Sequence, residues 1–106
     1  MSETLSRVIA LVERREIRIS DHGYDQLSED GIRVRDLVEG ISHAEIVEDY
    51  ADYPKGPCVL VLQQDAGGAV HAVWGIPKGE SSPAVLVTAY RPDPDRWTND
   101  FLRRQR

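Results

Sequence analysis

The chain has one cysteine, Cys58, among its 106 residues, and that scarcity closes off two kinds of protein. No internal disulfide can form, and a cysteine-based zinc site would lack the partner thiolates it needs. Long apolar runs are also missing. The N-terminal one, Val8 to Val12, lies among Arg7, Arg14, Arg15, Glu3, Glu13 and Glu16 and is too short for the h-region of a secretory signal. Nothing approaches the roughly 18 apolar residues of a membrane-crossing helix. A soluble protein of the reducing cytoplasm is therefore expected. A phosphate-binding glycine loop, a nucleophile elbow and a paired-histidine zinc helix are absent too, as are repeats, heptads and low-complexity tracts.

What remains has the composition of an ordinary globular chain, 41% hydrophobic and 29% charged, so a packed core is expected, and residues 1–106 fit one domain. The net charge of −5 is unevenly spread. Met1 to Ile19 carries four basic and three acidic residues, Ser20 to Asp52 two basic and ten acidic, and the stretch from Arg91 onward five arginines against three aspartates. The overall sign argues against a general nucleic-acid binder, and no DNA partner is predicted. A phosphate-attracting surface would draw on the C-terminal arginines.

Periodicity divides the chain near Ser42. Leu5, Val8, Ile9 and Val12 fall on one face of a helix from about Glu3 to Arg15, with Ser2 as cap. Ile17 and Ile19 alternate with polar residues, as a linker or an edge strand would. Ser20 can cap a second helix that Gly31 ends, and Val34, Leu37, Val38 and Ile41 give a third. Strands are predicted at Glu45 to Tyr50, Cys58 to Leu62, Ala69 to Ile76 and Val85 to Tyr90, with Asp65-Ala66-Gly67-Gly68 as a hairpin turn. After Pro92 and Pro94, Asp93 or Asp95 can cap a last helix bearing Trp97, Phe101 and Leu102. The expected fold is therefore α+β: N-terminal helices, a three- to four-stranded antiparallel sheet meander, and a short C-terminal helix.

Few residues are candidates for chemistry. His71 falls on the strand face opposite Trp74, where an imidazole that titrates near neutrality could act as acid or base if the face is open; if covered, it is a hydrogen-bonded packing residue. His22 sits near a helix N-terminus, which lowers its affinity for a proton and suits a base, or it merely packs at the cap. His43 falls in a polar loop and carries no expectation. Arg91 stands where a strand ends against two prolines, and its guanidinium can either grip a phosphate bidentately or anchor an ion pair. Tyr90 and Trp97 are core or rim aromatics, or a platform for bases. Glu45, Glu48, Asp49 and Asp52 lack the spacing of a calcium loop, and neither a metal nor a cofactor is expected. Cys58 opens an apolar strand with no activating neighbour in sequence and is expected to be structural and slow toward thiol reagents.

Five pieces of the chain together resemble a known bacterial family. These are Ile19-Ser20-Asp21-His22, Gly31-Ile32, Glu45-Ile46-Val47-Glu48-Asp49-Tyr50, Val70-His71-Ala72-Val73 and Tyr90-Arg91-Pro92-Asp93-Pro94-Asp95-Arg96-Trp97. In order, they resemble the domain of unknown function DUF4258, from about Ile17 to Arg104, with Gly23 in place of the family's usual alanine. That family is similar in layout to the small RelE-like and BrnT-like toxins, which cleave RNA without metal. Through that second step the resemblance implies a metal-independent endoribonuclease, with His22, His71 and Arg91 as catalytic residues and Tyr90 and Trp97 binding substrate. One histidine would take the proton of the attacking 2′-hydroxyl, the other would protonate the leaving oxygen, and Arg91 would stabilise the phosphorane. RNA and a small antitoxin-like protein are the implied partners. The alternative is a protein-binding module without enzymatic activity, using a sheet face or edge; a small-anion binding protein is a third reading. The nuclease requires His22, His71 and Arg91 to reach one phosphate, and the module does not.

Overall fold

The computed structural model describes residues 2–105. Helix α1 runs Glu3–Glu13, capped by Ser2, whose side chain accepts from the Leu5 N–H. Strand β1 is Ile17–Ile19. Helix α2, Asp21–Asp30, starts at Ser20, which accepts from the Gly23 N–H at 2.9 Å, and stops at Gly31, whose left-handed φ of 64° suits glycine. Helix α3, Val34–Gly40, leads through a 3₁₀ turn at Ile41–His43 into β2, Glu45–Tyr50. Strands β3 (Cys58–Asp65), β4 (Gly68–Gly75) and β5 (Ala84–Tyr90) complete the sheet. Among the described residues no helix is long and apolar enough to cross a membrane.

The α+β class and the helices-first order agree with the sequence, but two details differ. The sheet has five strands, in the order β1-β5-β4-β3-β2, and it is mixed. The short Ile17–Ile19 segment pairs parallel with β5, Ile17 opposite Ala84 and Ile19 opposite Leu86, while the other pairings are antiparallel. Three residues show too little alternation to reveal a partner distant in sequence.

Among the described residues no helix forms after Arg91. Turns and a single bridge between Trp97 and Arg104 stand there instead. Asp93 uses its carboxylate on the Asp95 N–H, and the side chains of Asp100 and Thr98 accept from the backbone of Leu102 and Arg103. Such local bonds offer the backbone an alternative to the helix ladder.

The helices all pack on one face of the sheet. Val8, Leu11 and Val12 of α1, Leu27 of α2 and Leu37 of α3 bury against Val59, Val61, Val70, Ala72, Trp74 and Leu86, each fully buried aliphatic side chain contributing roughly 1.5–3 kcal/mol. The polar atoms in that core are paired. The Trp74 indole N–H donates to the Gln63 side-chain carbonyl at 3.1 Å, and the Gln63 amide donates to the Leu37 carbonyl at 2.9 Å. The Trp74 face is therefore the main core, as the sequence predicts.

Helix α2 lies unusually close to β5. Its Ser20 hydroxyl donates to the Val87 carbonyl at 2.7 Å, and a Cβ on Gly23 would stand 2.9 Å from the Leu86 carbonyl oxygen. Backbone on both sides leaves little room to adjust, which explains why this chain has glycine next to His22. Gly23→Ala is expected to destabilise the protein by about 1–2 kcal/mol, measured by urea denaturation; an unchanged midpoint would mean that α2 shifts freely.

Candidate functional site

Helix α2 and the end of β5 enclose a polar cleft of about 510 Å³. One wall is α2, where His22 and Gln26, four residues apart, share a face. The floor is β5, through Thr88 and Tyr90. The other wall is the segment that leaves the sheet, with Arg91, Asp93, Arg96 and Trp97, and Arg104 joins it through the bridge to Trp97. Four of the predicted site residues, His22, Tyr90, Arg91 and Trp97, thus line one cleft, and His71 does not.

His71 lies directly beneath. It pairs with Tyr90 across β4 and β5 and is 0% exposed. The sheet face it occupies is not open, because the C-terminal segment folds over it. Trp97 stands edge-on to the imidazole at 4.4 Å between centroids, Tyr90 at 5.5 Å and Phe101 at 6.5 Å. Nε2 lies 2.8 Å from the Phe101 carbonyl oxygen and Nδ1 3.4 Å from the Tyr90 hydroxyl. A carbonyl can only accept, so the proton sits on Nε2 and Nδ1 is left to accept the tyrosine O–H. Burial lowers the imidazole's pKa below its ordinary value, against the opposing pull of the Phe101 bond. Phe101 itself has a left-handed φ of 60°, a conformation that costs a bulky residue energy and that the His71 bond helps to hold.

Arg91 is only partly available to a ligand. Its guanidinium forks onto the Asp65 carboxylate at 2.6 and 3.0 Å, and its backbone N–H donates to Asp30 at 2.8 Å. Gly67 lies against this guanidinium, where a Cβ would come within 2.7 Å of Nη2 and the arginine would have to shift. The Arg91 bond, assisted by the Gly67 N–H, outweighs burial and holds the Asp65 carboxyl below its ordinary range. Of the two uses expected of it, the guanidinium here anchors an ion pair, and its partner is the hairpin aspartate.

Two arginines in the cleft were not singled out from sequence beyond the C-terminal charge count. Arg96 is 83% exposed and has only a loose 3.9 Å contact to Asp93. Arg104 stacks over Trp97 at 4.8 Å from the ring centre and donates to Glu48 at 3.1 Å. Burial pushes the Glu48 carboxyl up, but bonds from Tyr50 and Arg104 outweigh it and leave it below its ordinary value. Burial also raises the Tyr90 hydroxyl, so it stays protonated at neutral pH. The cleft gathers His22, Arg91, Arg96 and Arg104; Asp65 and Glu48 neutralise Arg91 and Arg104, and Arg96, with only its loose contact to Asp93, is the arginine most open to an anion. His43 lies elsewhere, beside Ser42. Among the described residues no group of three or more histidine, cysteine or carboxylate side chains is arranged to hold a metal ion.

The model of a family described as a domain of unknown function, DUF4258, matches residues 19–91. That is well over half of the chain, which belongs to this family. No match was found among curated proteins or among solved structures. The matched stretch includes His22, Tyr90 and Arg91 and stops before Arg96, Trp97 and Arg104, so the cleft is built partly from the family domain and partly from the C-terminal segment beyond it.

Proposed function

We propose that the cleft binds RNA through its phosphodiester backbone and that the protein is a metal-independent endoribonuclease of the toxin-like kind, acting in the cytoplasm and held in check by a small antitoxin-like protein. The observation that carries this reading is the convergence of an exposed histidine, a protonated tyrosine, three arginines and a tryptophan on one cleft. Exposed cationic side chains beside Tyr90 suit the phosphodiester backbone of a single strand, while Trp97, only 5% exposed and covered by Arg104, supports the cleft and does not stack on a base. Arg96 is the main phosphate ligand, and Arg91 and Arg104 contribute whatever their bonds to Asp65 and Glu48 leave free.

In the reaction the 2′-hydroxyl oxygen attacks the adjacent phosphorus while His22 takes its proton. The bond from phosphorus to the 5′-oxygen breaks, and Tyr90, its O–H turned from His71 Nδ1 toward the cleft, protonates that oxygen. A 2′,3′-cyclic phosphate and a 5′-hydroxyl end result, and the His22 imidazolium returns its proton to the tyrosinate through solvent. His71 acts only through Tyr90: in the resting site its Nδ1 holds the hydroxyl through a long 3.4 Å bond that is released when the proton passes to the leaving oxygen, and the Phe101 carbonyl orients the ring. This revises the direct role that the resemblance implies for His71.

The test is cleavage of a labelled single-stranded RNA in chelator, with binding followed by anisotropy. Arg96→Ala, at an exposed position, is expected to weaken binding about fivefold to tenfold and reduce its salt dependence by about one ion. His22→Ala is expected to keep binding while lowering cleavage about 10²-fold. Undiminished cleavage in His22→Ala, or no binding of RNA by wild type at low salt, would end this reading. The protein-binding module then takes its place, favoured by the uncovered apolar surface around Tyr50 and Val87, which are 43% and 38% exposed.

A further inference from the structure

The C-terminal segment covers only the His71 end of the sheet's second face. The other end holds an apolar groove of about 560 Å³, floored by Val73 and Val87 and bordered by Tyr50 and Cys58. Val87 is the extra residue of a β-bulge: Val73 pairs with Thr88 and Trp74 with Leu86, so Val87 has no partner across the ladder. The groove's rim carries two cations, Arg18 and Lys55, and no carboxylate is among its lining residues. Among the described residues neither cation has an acidic partner within ion-pair distance. Glu48, bonded to the Tyr50 hydroxyl, and Asp49, near Cys58, stand behind one wall, but on a chain with 18 acidic and 13 basic residues an apolar trough whose own lining charges are two unpaired cations has a definite complement.

We propose that this groove docks an acidic segment of a partner protein, with apolar side chains seated over Val73 and Val87 and carboxylates reaching Arg18 and Lys55. Charge complementarity selects this occupant. A second copy in two-fold symmetry would set the Arg18 and Lys55 rim against itself or an equivalent basic edge, on chains that already repel through their net charge. A small amphiphile would lie in a trough open along its length and keep much of its surface wet, whereas small-molecule sites bury most of their ligand. A polypeptide laid across the groove supplies the missing roof and exchanges exposed valine and tyrosine surface for contact. The surface is separate from the cleft beside α2.

The experiment selects a random 12-residue peptide library on the wild-type protein, then measures chosen synthetic peptides by calorimetry and by the rate at which Cys58 reacts with a small thiol reagent. Enriched sequences are expected to combine large apolar residues with Asp or Glu and to slow Cys58 labelling. The double variant Arg18→Glu/Lys55→Glu, its fold checked by thermal melting, is expected to lose at least tenfold in affinity for them. Arg96→Ala, in the cleft, is expected to bind them as wild type does, so failure here and failure of the RNA reading are distinguishable. Enrichment of basic or uncharged peptides, affinity indifferent to the charge reversal, or labelling that the peptides leave unprotected overturns the proposal. A dimer in sedimentation that Val87→Asp dissolves would overturn it in favour of self-association, and equal protection of Cys58 by decanoate in favour of a small amphiphile.

Discussion

His71→Ala is expected to cost about 3 kcal/mol of stability. The substitution removes a ring with no exposed surface, enclosed by Tyr90, Trp97 and Phe101, and strips the Phe101 carbonyl of its donor. Large-to-small changes in a packed interior cost ~2–5 kcal/mol, and an unsatisfied carbonyl adds to that where water cannot reach it. At ~4–8 °C per kcal/mol for a domain of this size, the melting temperature should fall by roughly 10–20 °C. The C-terminal arginines should then become open to trypsin well below the global transition. His71→Phe retains the volume but not the donor and should lose less.

The same residue makes stability depend on pH. Its folded pKa is depressed by burial, so the unfolded chain takes up the proton first as pH falls. The contribution is fully present above the ordinary histidine value of about 6.5 and is lost as pH drops from there toward the lower folded value, at no more than about 1.4 kcal/mol per pH unit. His71→Phe should lack this component between about pH 7 and 5. A melting temperature for His71→Ala close to that of wild type would show that the ring is dispensable to the fold, and its role would then have to be chemical.

Arg91→Ala is expected to destabilise almost as strongly, by about 2–3 kcal/mol, because it abandons a carboxylate whose side chain is only 4% exposed. Breaking a buried pair by removing one partner costs ~3–5 kcal/mol; the arginine is 30% exposed, which places this pair toward the low end. Asp65→Asn should cost less, since the amide can still accept from the Gly67 N–H, and a double-mutant cycle should return a coupling of about 1–2 kcal/mol. Asp65 has a depressed folded pKa, so its contribution is present above about pH 3.9 and lost as acidification protonates it. Additive effects in the cycle would mean that the bidentate contact is not maintained in solution. Lost activity in Arg91→Ala therefore has to be read beside its stability, which makes the exposed Arg96 the cleaner probe of phosphate binding.

Helices and long strands were legible because their signals are local. Ser2 and Ser20 cap where they were expected to, Gly31 ends α2, and Asp65-Ala66-Gly67-Gly68 turns the hairpin with Asp65 paired to Gly68. The parallel pairing of β1 was not legible, since nothing in Ile17-Arg18-Ile19 names a partner so distant in sequence. The C-terminal helix was misread because aspartates and threonines that can cap a helix can equally bond their own backbone. At the site, the position of Arg91 at a strand exit and of His22 at a helix start follow from the element boundaries. What covers His71, and which acid holds Arg91, depend on how the last turns fold over the sheet, and no periodicity encodes that.

The parallel edge also governs how the molecule can come together in time. Ile17 finds Ala84, and Ser20 reaches across 67 residues to Val87. During synthesis, therefore, α1, β1 and α2 leave the ribosome long before the strand that fastens them. The first strands able to pair as they emerge are β2 and β3, β4 then joins through its tight turn, and adding β5 creates the surface on which the earlier helices and β1 can dock. Until then Val8, Leu11, Val12 and Leu27 have no completed sheet to cover them. Loop closure over such separations slows folding relative to helical domains of similar size and lengthens the exposure of apolar surface. The nascent chain is thus most vulnerable to aggregation or proteolysis before its last strand emerges, and a chain cut short of Ala84 would leave its N-terminal third without a place to fold.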